Sequence, residues 1–74
     1  MKAALEFNLP DDDLQHQQAV NAPGMALALW DFDQWLRSEQ KYADREQIEV
    51  DELREKLREV MGEYGLSFNM PMFR

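Results

Sequence analysis

The stretch Met25-Ala-Leu-Ala-Leu-Trp30-Asp-Phe-Asp-Gln-Trp35-Leu-Arg37-Ser-Glu-Gln-Lys41-Tyr42 most restricts what this chain can become. On a helical wheel Met25, Ala28, Leu29, Phe32, Trp35, Leu36 and Tyr42 share one face, the spacing of an amphipathic helix with a broad core stripe. Trp30 falls about half a turn from Phe32, at ~100° per residue, among Leu27, Gln34, Arg37 and Lys41. One helix thus offers a core face and a second face where an aromatic ring stands among cations.

Length sharpens the problem. A chain of 74 residues has room for one domain, and such chains bury only roughly 60% of their unfolded surface. There is no cysteine, so neither disulfides nor thiolate metal sites help, and assembly as a homo-oligomer is the remaining inexpensive remedy. A hydrophobic fraction of 45%, with two Trp, four Phe and two Tyr, nevertheless marks a folded chain. No run approaches the ~20 apolar residues of a membrane helix. Glu6 and Asn8 interrupt what would be a signal peptide's apolar core, so a cytoplasmic protein is expected.

Residues 3–9 alternate, with Ala3, Leu5, Phe7 and Leu9 on one side, and read as a half-buried strand ended by Pro10. Asp11-Asp12-Asp13 supplies negative charge where a helix start favours it, and a short helix is expected over 12–21. Asn21-Ala-Pro23-Gly24 then punctuates the chain, with Asn21 as cap and Pro23 in the first turn of a central helix over 23–42. Asp44-Arg-Glu-Gln47 has the form of a capping box for a second long helix over 45–64. Its stripe is Val50, Leu53, Leu57, Val60, Met61 and Tyr64, and Gly65 follows as its C′ residue. The pairs Glu52–Lys56, Asp51–Arg54 and Glu55–Arg58 should lace its outer face. Ile48, opposite the stripe, packs under the first helix or belongs to a partner contact.

The tail 66–74 alternates again and reads equally as an edge strand pairing with 3–9 or as an apolar docking segment. The expected fold is mainly α, with a small α+β arrangement as the variant: an antiparallel helix pair, a short N-terminal helix and a terminal strand or strand pair.

Chemistry for catalysis is sparse. His16 is the sole histidine, and neither Ser38 nor Ser67 sits in a nucleophile motif. No glycine-rich loop cradles phosphate. Asp31 and Asp33 stand about 200° apart on a helix, so they do not grip one ion together. A non-enzymatic protein without catalytic residues, metal or cofactor is expected. A net charge of −7 argues against binding duplex nucleic acid, which rewards a basic face. The candidate ligand-binding residues are Trp30, Gln34, Arg37 and Lys41, with Trp stacking on a base and the cations meeting phosphate. The competing reading buries Trp30 against the first helix or N-terminal strand. In an oligomer Trp30 also fits a subunit boundary, with Arg37 and Lys41 at its rim.

The strings Ala-Leu-Trp30-Asp-Phe-Asp-Gln-Trp35-Leu-Arg37, Lys41-Tyr-Ala43, Leu53-Arg-Glu-Lys-Leu57 and Glu63-Tyr-Gly-Leu66 resemble a group of short, uncharacterised proteins of tailed bacteriophages. The resemblance runs from the Lys2-Ala-Ala-Leu-Glu-Phe7 opening to about Ser67, and leaves out Asn69–Arg74. It implies a small binding protein in the host cytoplasm. The leading expectation is an anti-defence sponge that sequesters a nucleotide second messenger, such as a cyclic nucleotide, between subunits. The alternatives are an acidic inhibitor of a host defence or DNA-binding protein, acting through Glu55, Glu59 and Glu63 or the Met-rich tail, and a structural or regulatory phage component.

Overall fold

A computed structural model describes residues 1–73, so Arg74, the last residue of the expected 66–74 tail, lies outside the described residues. The architecture is helical: α1 spans Asp13–Lys41, α2 spans Val50–Glu63, and a 3-10 turn at Pro71–Phe73 follows. The expected break at Asn21–Gly24 is absent, and the helices anticipated over 12–21 and 23–42 are one element. Asn21 is no cap; its amide Nδ2 donates to the Gln17 carbonyl one turn back, at 2.8 Å. Pro23 lies inside the helix and has no N–H to offer the Ala19 carbonyl. Its ring still fixes φ near the helical value, so the backbone can run through it.

Packing on both sides of Pro23 offsets that cost. Ahead of it, the Gln17 Oε1 accepts the Met72 N–H at 2.9 Å, and the Gln18 Nε2 donates to the Met72 carbonyl at 3.2 Å. Behind it, Met25 and Ala28 enter the core. Gly24 lies against α2: a Cβ there would stand 3.4 Å from the Tyr64 Cβ, an ordinary contact.

The second long helix starts at Val50 rather than near 45. Asp44 adopts φ 54°, in the left-handed region, so it does not take the extended conformation of an N-cap and the Asp44–Gln47 box does not form. Arg45 fastens this connection, reaching Glu39 at 3.2 Å and Glu52 through both guanidinium nitrogens at 2.8 and 2.5 Å. That fork holds the Glu52 carboxyl below the usual carboxylate range, chiefly through its hydrogen bonds.

The end of α2 follows the sequence expectation. Gly65, at φ 71°, reverses the chain; its N–H reaches the Gly62 carbonyl and the Leu66 N–H reaches Met61, the two bonds of a Schellman motif. Leu66 and Met61, the hydrophobic pair of that motif, both enter the core.

The two helices run antiparallel, because contacts pair late α1 with early α2. Gly24 and Asp31 meet Tyr64, whereas the Trp35 ring lies 5.6 Å from Lys56 Nζ. The Tyr64 hydroxyl donates to Asp31, and this bond to a carboxylate holds the phenol pKa above its usual value. A raised folded pKa means this contribution to stability is present below the unfolded tyrosine value of about 10 and is lost as pH rises through the folded one. Ultraviolet titration of the parent against Tyr64→Phe should show the missing ionisation above the free-tyrosine range; an ionisation at or below that range rejects the bond.

Neither expected strand forms among the described residues. Residues 3–8 lie as an irregular arm with Leu5 exposed, because no second strand is present to take up their backbone groups. Phe7 packs on the His16 ring instead, 5.3 Å between centroids. The Asp12 carboxylate accepts the Asn8 N–H at 2.9 Å and closes the turn into α1. The tail folds as successive turns, Met70 N–H to Ser67 and Phe73 N–H to Met70, which removes the extended form a strand requires. Its docking partner is its own chain.

Ala28, Val60, Met61, Leu66 and Met72 form the core, with Met25, Leu57, Tyr64 and Met70 around it. The α1 stripe is therefore only partly used. Leu29 and Tyr42 stay 68% and 78% exposed.

Candidate functional site

The wheel placed Trp30, Gln34, Arg37 and Lys41 on one face, and that face points away from α2 and the core. Trp30, Arg37 and Lys41 are exposed and Gln34 is half-buried. Trp30 is thus not packed against an N-terminal helix or strand. The Lys41 ammonium sits 5.3 Å from its neighbour's ring, Tyr42. The surface is the convex outside of a helix, and none of these residues lines the clefts described below.

The concave sites lie elsewhere. Gly65 turns the chain back so that residues 66–69 lie beside α2, and a cleft of about 360 Å³ opens between them. Arg54 and Arg58, one helical turn apart on α2, line one wall; Ser67, Phe68 and Asn69 line the other. Neither arginine makes an ion pair among the described residues. The expected Asp51–Arg54, Glu55–Arg58 and Glu52–Lys56 pairs are all absent there: Arg45 takes Glu52, and Lys56 reaches forward to Glu59 at 3.4 Å. An exposed i, i+3 or i, i+4 pair is worth only a few tenths of a kcal/mol, so such rearrangement costs little.

The tail wall is held locally. The Asn69 N–H donates to Ser67 Oγ at 3.2 Å, and Phe68 stands edge-on to Phe73 with centroids 5.2 Å apart. Phe68, Leu66 and Met61 also border an apolar groove of about 280 Å³ that continues past Met25, Leu29, Leu57 and Phe73. The two depressions therefore share a wall: a basic, hydrogen-bonding end and an apolar end meet at Phe68.

Such an arrangement has the groups to hold an anion attached to a planar or apolar body. Guanidinium forks match phosphate or carboxylate oxygens, and the ring supplies a stacking surface. Ser67 Oγ accepts a backbone N–H, and His16 lies against Phe7, at the start of α1. Asp31 is bonded by Tyr64 while Asp33 faces solvent, so the two carboxylates diverge as helical geometry requires. No group of three or more potential metal ligands occurs among the described residues, and no described helix is long and apolar enough to cross a membrane.

Sequence reasoning missed Arg54 and Arg58 because each has a carboxylate three residues earlier that offered a sufficient local partner. The four-residue spacing of two cations was the available signal. No family model matches the chain, and no curated protein or solved structure matches it significantly.

Proposed function

We propose that this chain is a non-enzymatic binding protein that captures a small phosphate-bearing ligand of the nucleotide class in the cleft between α2 and the tail. Arg54 and Arg58 hold the phosphate, Phe68 stacks on the base, and Ser67 and Asn69 offer polar contacts to the sugar or base edge. The observation that carries the reading is two arginines that make no ion pair among the described residues, beside a half-exposed Phe68, kept together in a chain of net charge −7. The resemblance of the Trp30–Arg37 string to short phage proteins supports a role in host cytoplasm, sequestering a nucleotide second messenger used in defence.

A second reading, an acidic inhibitor of a host protein, draws on exposed Glu55, Glu59 and Glu63, four residues apart along the outside of α2. Calorimetry against cyclic and linear nucleotides separates the possibilities. Arg54→Ala with Arg58→Ala should weaken binding by about 100-fold, as expected when two charge-assisted hydrogen-bonding groups are lost. Arg37→Ala with Lys41→Ala should change it little. The reverse pattern moves the ligand to the Trp30 face. No binding to any nucleotide at millimolar concentration rejects the nucleotide reading, and pull-downs with neutralised Glu55, Glu59 and Glu63 then test the inhibitor reading.

A further inference from the structure

We infer that the outward face of α1 is a self-complementary seam on which a second copy of this chain docks antiparallel. Val20, Pro23, Leu27, Trp30, Gln34, Arg37 and Lys41 follow one another at alternating spacings of three and four, the a/d pattern of a two-stranded coiled coil. The pattern runs along a surface of the chain's own helix that no element of the same chain covers. Val20, Leu27 and Trp30 are 64%, 51% and 63% exposed. They are neighbours on the helix and form a contiguous apolar patch, which a monomer has no use for.

The charge order along the seam selects the occupant and its direction. Asp11, Asp12 and Asp13 stand at the start of α1, and Arg37 and Lys41 at its end. A parallel partner would set Arg37 and Lys41 against their own copies and acid against acid. An antiparallel partner, with Leu27 against the partner's Trp30, brings Lys41 of each helix opposite His16 of the other, one turn from Asp13. In this register Val20 and Pro23 come opposite Arg37 and Gln34, whose aliphatic stems cover them. The contact is then isologous, the commonest symmetry of small oligomers. The arm reaches only the end of this surface: Phe7 lies over His16, one turn before Val20, so the seam it leaves open begins at Val20.

The inference is independent of the α2–tail cleft, none of whose lining residues lies on the seam. Sedimentation equilibrium of the full chain should give twice the 8.8 kDa monomer mass at micromolar concentration. Trp30→Glu should shift it to monomer with unchanged helical circular dichroism, because Trp30 is exposed and lies outside the core cluster. For direction, Val20→Cys mixed with Arg37→Cys should give a disulfide-linked dimer on oxidation, whereas Val20→Cys alone should not. A monomer at all concentrations, a dimer that survives Trp30→Glu, or self-linking of Val20→Cys each overturns the proposal. Since Arg54 and Arg58 are untouched, nucleotide calorimetry on Trp30→Glu reports the cleft separately.

Discussion

Met72→Ala should lower the free energy of unfolding by about 2–4 kcal/mol, the usual range for truncating a buried methionine. Met72 is buried at 5% exposure and belongs to the core cluster, although it lies near the chain's end, where side chains are commonly loose. Its backbone is gripped on both sides by Gln17 and Gln18, so the tail has little freedom to collapse into the space left by truncation. With so few buried side chains, such a loss is a large share of the total, given that small domains retain about 5–15 kcal/mol. Urea unfolding followed by circular dichroism measures it. A change below about 1 kcal/mol would show that the tail is not part of the folded unit. Gln17→Ala with Gln18→Ala is the companion variant; removing two hydrogen bonds should cost about 1–3 kcal/mol and should loosen the tail without opening a cavity.

Pro23→Ala should instead stabilise the protein, by about 2 kcal/mol. An interior proline costs a helix roughly 3 kcal/mol through the missing N–H and the clash of its ring with the preceding turn. Part of this returns through the restricted unfolded chain, a term of about 0.4–1 kcal/mol. Alanine restores a donor for the Ala19 carbonyl and, at this exposed position, removes no core contact. Because Pro23 also lies on the proposed seam, the comparison belongs in the Trp30→Glu background, where self-association does not contribute. A destabilised Pro23→Ala would mean that the proline sets a bend on which the contacts either side depend.

Both variants touch the point where local and tertiary signals part. Repeated apolar spacing made the helical bodies of 25–41 and 50–63 legible, because such stripes require only that some apolar partner exist. Gly65 was equally legible: a left-handed residue after a helix end is a local backbone matter, and glycine adopts it without penalty. The antiparallel pairing followed from two amphipathic helices joined by a short connection.

Other elements depended on contacts that no local window contains. Asn21-Ala-Pro-Gly24 has the composition of a break, yet the helix continues, since Gln17 and Gln18 bond Met72, 55 and 54 positions away, and Met25 and Ala28 enter the core on the far side. Residues 3–9 have the alternation of a strand, but a strand needs a partner and the tail coils into turns. The Asp44 box fails because a left-handed backbone at that residue and the Arg45 fork fix the connection first.

The site divides in the same way. Spacing alone put Trp30, Gln34, Arg37 and Lys41 on one face, since a helix dictates which residues are neighbours. Whether that face is covered was for the fold to decide, and α2 packs on the opposite side of α1, which left it open. Arg54 and Arg58 were visible as a pair of cations, but their cleft has a second wall only because the Gly65 turn carries Ser67, Phe68 and Asn69 back beside them. The sequence by itself therefore determined the helical segments, their stops and the residues sharing each face. The tertiary structure decided which faces are buried, which breaks are overridden and where concave surface exists, because those follow from contacts between residues far apart in the chain.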